Sequence, residues 1–290
     1  MPSALEIEDQ AETISALLNA LATKAVVQEH DVRRLRHAFY KQGRIDRRLA
    51  AELFHANRIM RARHADWTEF YLEALTDFFL TRRGEMPILS AEPETVLLGW
   101  LGEGEPIVEP GERRLALRIL LLATNGPKHL KRHVLHSIED NLLRGNERWI
   151  DGGKRDPGII DALDIHLIQR LLRGAGGGYP RRICGAVVTF LLSLDRQALR
   201  FVDPEGWRRL LVASLARHLW ADLPSACATN VDSMPAITAG LRQLFDGHQP
   251  SADVLRLQHD VLAVTQMLHR GNDDRPSEEA EAVKESTLSA

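Results

Sequence analysis

An all-α fold is predicted by three observations. Apolar residues recur at three- and four-residue intervals along most of the chain. Alternating apolar runs bounded by turn residues, the mark of strands, are nearly absent. The two halves also repeat one order: helix, glycine turn, helix, loop, tryptophan-led helix.

In chain order, "AETISALLNALATKA" sets Ile14, Leu17, Leu18 and Leu21 on one face. "DVRRLRHAFY" puts Val32, Leu35, Ala38 and Phe39 on one side and its arginines on the other. "IDRRLAAELFHANRIM" continues with Leu49, Leu53, Ala56 and Met60. "DWTEFYLEALTDFFLTRRG" has Asp66 as a cap and closes with Arg82, Arg83 and Gly84. Shorter helices are expected at Glu92–Leu101, Gly111–Ala123 and Pro127–Leu143. "RGNERWIDGGKRDPG" is dense in turn residues and reads as a linker over 145–158. Helices resume at Ile160–Leu172, Pro180–Leu194, Pro204–Trp220, Pro235–Phe245 and Ala252–His269. The organisation expected is a helical unit over 1–144, the linker, a degenerate second unit over 159–270 and an acidic disordered tail over 271–290.

The halves align piecewise. "DVRRLRHAFY" matches "DIHLIQRLLR" in apolar phase, with Asp31 and Asp164 identical. "IDRRLAAELFHAN" sits against "YPRRICGAVVTFL", sharing Arg47–Arg48 and Arg181–Arg182. "WTEFYLEALTDFFL" matches "WRRLLVASLARHLW" through Trp67/Trp207 and Leu75/Leu215. The offset grows from 133 to 134 to 140 residues, which places insertions in loops. With its Gly-x-Ile turn opening a helix, "YKQGRIDRRLAAELFHAN" followed by "DWTEFYLEALTDFFL" resembles proteobacterial tandem helical-repeat proteins. These are similar to TerB-like (tellurite-resistance-associated) domains and, more distantly, to EF-hand pairs. The resemblance covers Val26–Leu80 and, more weakly, Ile160–Trp220. It implies paired helix-turn-helix units and a link to stress responses.

An EF-hand loop has glycine at its sixth position, an apolar residue at the eighth and oxygen ligands around them. With Gly43 sixth, Ile45 falls eighth, but the ligand positions become Ala38, Tyr40, Gln42 and Leu49. None is a carboxylate, and Lys41 and Arg44 would repel a cation. Gly43 therefore reads as a tight turn, not a calcium site.

Other candidates are weighed in the same way. His129, His133 and His136 share a helical face, and their spacing can bring imidazoles towards a metal. Against this, the apolar stripe of that helix is Leu130, Val134, Ile138 and Leu142, which makes the histidines a solvated face. "RGAGGGYP" follows a helix and lacks the Lys-Ser/Thr ending of a phosphate loop, so it reads as a connector. Cys184 looks interior and Cys227 lies on a loop, neither within a nucleophile signature. Glu69, Glu73 and Asp77 line one helix face, an arrangement usable for acid–base work and commoner as a solvated side.

Charge is the strongest signal. Net charge is only -3, yet residues 31–64 carry ten Lys/Arg against three acids, and 271–290 carry six acids against two bases. Arg33, Arg34, Arg36, Arg44, Arg47 and Arg48 form a candidate anion- or partner-binding face. An aromatic content of 6% and a pI near 6.5 argue against a dedicated nucleic-acid binder. The expected function is a non-enzymatic cytoplasmic interaction or adaptor protein with no cofactor and an acidic protein partner. Nucleic-acid or acidic-surface binding through 31–64 is the alternative, and a metal-dependent role for the His129 helix a weaker one. Two isolated cysteines suit a reducing compartment, and the short, charge-interrupted apolar runs predict no membrane insertion.

Overall fold

The fold is that of a computed structural model, described for residues 14–24, 26–41, 45–60, 64–83, 86–173, 183–221, 233–245 and 252–273. It is all-α apart from two small two-stranded pieces, as the apolar spacing predicts. The chain divides after Gly158 into two units. Among the described residues no helix is long and apolar enough to cross a membrane.

The first unit holds α1 (residues 14–22), α2 (Glu29–Lys41), α3 (Arg47–Ile59) and α4 (Ala65–Phe79). There follow β1 (Leu80–Arg83), β2 (Met86–Leu89), α5 (Ala91–Leu101), α6 (Pro110–Leu122) and α7 (Lys128–Arg144). α4 is the central element and packs on α2, α3, α5 and α6. Its Trp67, Phe70, Tyr71, Leu75 and Phe79 are fully buried. Removing side chains of this size from water is the main stabilising term of such a core. Phe54, Phe78, Phe79 and Trp100 extend it as an aromatic cluster.

Helix α4 ends three residues before the expected Arg82. Leu80–Arg83 instead pairs antiparallel with Met86–Leu89, Leu80 opposite Leu89. The buried Leu89 and the Asn125 side chain, which bonds both the Leu89 N–H and its carbonyl, anchor this hairpin. Gly102 closes α5 in the left-handed region at φ 81°, where a Cβ would be strained.

The segment 145–158, expected to be a linker, is folded onto the first unit. Trp149 is buried, Glu147 bridges Lys154, and the Gly158 N–H donates to the Leu142 carbonyl at 2.8 Å. Turn residues mark a change of direction here, and the buried tryptophan ties the turn down.

The second unit holds β3 (Ile159–Ile160), α8 (Ala162–Arg173), α9 (Gly185–Gln197), β4 (Arg200–Phe201), α10 (Pro204–Ala221), α11 (Ser233–Leu244) and α12 (Ala252–Asp273). β3 and β4 pair in parallel. α10 is central, packing on α9, α11 and α12. Helix α12 runs to Asp273, beyond the expected start of the tail at 271, and residues 274–290 lie outside the described ones.

The units match in local detail. Asp31 and Asp164 are both buried, and each accepts a backbone N–H from three residues earlier, Gln28 at 3.2 Å and Asp161 at 3.1 Å. The indole of Trp67 donates to Asn57 Oδ1 at 3.0 Å, and that of Trp207 to Asp195 Oδ1 at 2.7 Å. Phe70, Tyr71, Leu72, Ala74, Leu75, Thr76 and Phe79 of α4 are buried, as are the α10 residues 140 positions on.

The expected pairing of Ile45–Asn57 with Tyr179–Leu191 is out by one helical turn. Helix α9 starts at Gly185, so the α3 cap Asp46 corresponds to Cys184, an offset of 138. Leu49, Ala50, Leu53, Phe54 and Ala56 then fall on Val187, Val188, Leu191, Leu192 and Leu194, all buried. Arg181 and Arg182, which suggest the other register, precede the helix and lie outside the described residues. A four-residue slip is nearly one turn, so apolar periodicity alone does not distinguish the two registers.

Candidate functional site

The sequence-predicted arginines divide into two sets. Arg36 points from α2 towards α4, where its guanidinium bonds Glu73 at 2.6 Å and sits 6.0 Å from the centre of the Phe70 ring. Glu73 also takes the Tyr40 hydroxyl; partial burial, then that hydrogen bond and charge, push the phenol well above its ordinary value. The carboxylate candidates are thus used in cross-links: Glu73 with Arg36 and, more loosely, Glu69 with Arg118 at 3.9 Å. Asp77 also has a partner.

Arg33, Arg34, Arg47 and Arg48 are exposed. Arg33 pairs with Glu29 and Arg48 with Glu52, each one turn away on its own helix, and Arg48 also reaches Ser15 at 3.5 Å. Pairs of this kind contribute about 0.3–0.5 kcal/mol and exchange readily with solvent or a partner. Arg44 lies outside the described residues, as do Arg61, Arg63 and Cys227.

Arg58 belongs by sequence to the basic stretch 31–64, but the structure turns it into the cation that pairs with a buried acid. Arg58 on α3 chelates Glu112 of α6, donates to the Trp100 carbonyl at 2.9 Å and lies 5.0 Å from the centre of the Phe54 ring. Glu112 is almost wholly buried. A buried acid without its arginine would be strongly unfavourable, so this pair is structural. Only the tertiary approach of α3 to α5 and α6 shows it.

The three histidines of α7 line one cleft of about 260 Å³, with Leu98, Glu103, Gly104 and Arg132. The expectation that they form a solvated face holds for His129 and His136 and fails for His133, which is only 7% exposed. Because α7 packs on both α5 and α6, its buried arc is wider than the four-residue apolar stripe. Burial, then the neighbouring His136, lower the His133 pKa, and Glu103 opposes them. Among the described residues His133 Nε2 has no hydrogen-bond partner. Nor, among those residues, are three His, Cys, Asp or Glu side chains grouped to hold a metal ion.

Cys184 is exposed at the N-cap of α9 rather than interior, because α9 begins later than expected. Its side chain makes no cap hydrogen bond.

Compared with protein-family models, curated proteins and solved structures, the chain matches none.

Proposed function

We propose that this chain is a non-enzymatic helical interaction protein whose outward arginines, Arg33, Arg34, Arg47 and Arg48, engage an acidic protein partner. One observation carries the reading. Arg36 and Arg58 are consumed by Glu73 and Glu112, whereas the outward four hold at most weak pairs within their own helices. A basic surface left so loosely neutralised favours electrostatic steering of an acidic partner. The matching burial and hydrogen bonds of α2–α4 and α8–α10 support two related helical units. On the TerB-like resemblance, the role is that of a stress-response adaptor acting in the cytoplasm.

The test is capture from native cytoplasm by the wild-type chain and by the quadruple variant R33E/R34E/R47E/R48E. Partners retained by the wild type and lost by the variant are expected, with association slowed at least about tenfold at low salt. Identical captured sets would sink the reading. Nucleic-acid binding is the second reading, since the same four exposed guanidiniums can neutralise phosphates. A salt-titrated mobility shift with DNA and RNA, abolished in the quadruple variant, would favour it over the first.

A further inference from the structure

The cleft between α7 and the α5–α6 connection combines features that the interaction reading leaves unused. His133 lines it, is buried, and leaves its Nε2 without a partner among the described residues. Most buried polar atoms have a partner, and one without calls for an explanation such as a catalytic role or a bound water or ion. An Arg132 N–H lies 2.9 Å from His129 Nδ1. The guanidinium is always protonated and can only donate, so Nδ1 holds the lone pair and the His129 proton sits on Nε2. Arg132 and His129 therefore offer N–H donors to the cleft. Among the described residues Glu103 is the only carboxylate in its lining, and buried Leu98 gives an apolar wall.

The cleft, of about 260 Å³, has room for a small molecule. Donor-bearing side chains and a single carboxylate in one lining suit a small acid with its own adjacent donor.

We propose that this cleft binds a small α-amino or α-hydroxy acid. Arg132 and His129 take the carboxylate, Glu103 takes the ammonium or hydroxyl group, and His133 Nε2 supplies the inner hydrogen bond. The charged and titratable groups facing His133 are His129, Arg132 and His136 on α7 and Glu103 on the connection. A bound carboxylate favours the protonated His133 imidazole, so affinity rises as pH falls towards the His133 value, which burial holds below the ordinary one.

Imidazole ¹H–¹⁵N resonances of the full chain, titrated with glycine, lactate, acetate, ethylamine and zinc, test this. Glycine and lactate are expected to shift the His129 and His133 signals saturably. Acetate should bind at least about tenfold more weakly, and ethylamine should do nothing. Arg132 and Glu103 are exposed, so R132A and E103Q keep the fold, which circular dichroism verifies. R132A should abolish the shifts, and E103Q should bring glycine down to the affinity of acetate. The proposal is overturned by no shift with either acid, by equal shifts in R132A, or by shifts with zinc alone.

Discussion

Trp67 and Trp207 show what a single side chain settles in this protein. Each buries its ring and needs a partner for one N–H, and each finds it on the preceding helix. Asn57→Ala strands the buried Trp67 N–H and removes the bond that Asn57 donates to Glu109 at 3.2 Å, and it should destabilise by about 1–3 kcal/mol in denaturant titration. A cost below the error of that titration would remove the bond from the account. Asp31 makes a prediction about acid. Burial alone would raise its carboxyl; the Lys24 ammonium at 2.6 Å, the Gln28 N–H and the nearby His30 outweigh it and hold it below the ordinary 3.8. A folded pKa below the unfolded one gives stability that is full above 3.8 and fades as pH falls through the folded value. Asp31→Asn should therefore flatten the acid limb of melting temperature against pH, and an unchanged slope would contradict it. Both tryptophans and both aspartates are legible in the sequence as matched letters. Asn57, Glu103 and Arg58 are not, because their roles come from residues many positions away.

At the scale of elements, some helix starts are legible in a cap residue and others are not: the expected cap Asp66 lies inside the first turn of α4, whose N-cap is His64. Asp46 caps α3 by accepting the Leu49 N–H at 2.8 Å, whereas Cys184 at the same place on α9 makes no such bond. Asp46→Ala should cost about 1 kcal/mol and Cys184→Ala close to nothing, read from denaturation midpoints. Equal costs would undo the correspondence between the two caps. The Arg181–Arg182 pair points to the wrong register for α9, and periodicity, blind to a four-residue slip, does not correct it. The β1–β2 hairpin is hidden for a related reason. Four-residue strands carry too few letters to show alternation, and Leu80 continues the apolar phase of α4.

For the whole molecule, the helical class is legible in the apolar spacing, and the boundary at Gly158 falls where turn residues cluster. Each unit has its own central helix and apolar core, so denaturation should show two transitions. Leu75→Ala should lower one and Leu215→Ala the other, each by about 2–5 kcal/mol. A single transition shifted equally by both would mean that the units unfold as one. The two indole contacts make those transitions optically separable. Trp67 points its N–H at a neutral amide, whereas Trp207 points it at a carboxylate and stacks on Phe201 with ring centres 4.7 Å apart. Excitation moves electron density off the pyrrole ring, and a negative charge beside that ring stabilises the result. With Trp100, Trp149 and Trp220 replaced by Phe, Trp207 should emit to the red of Trp67, giving the two halves different colours from one chain.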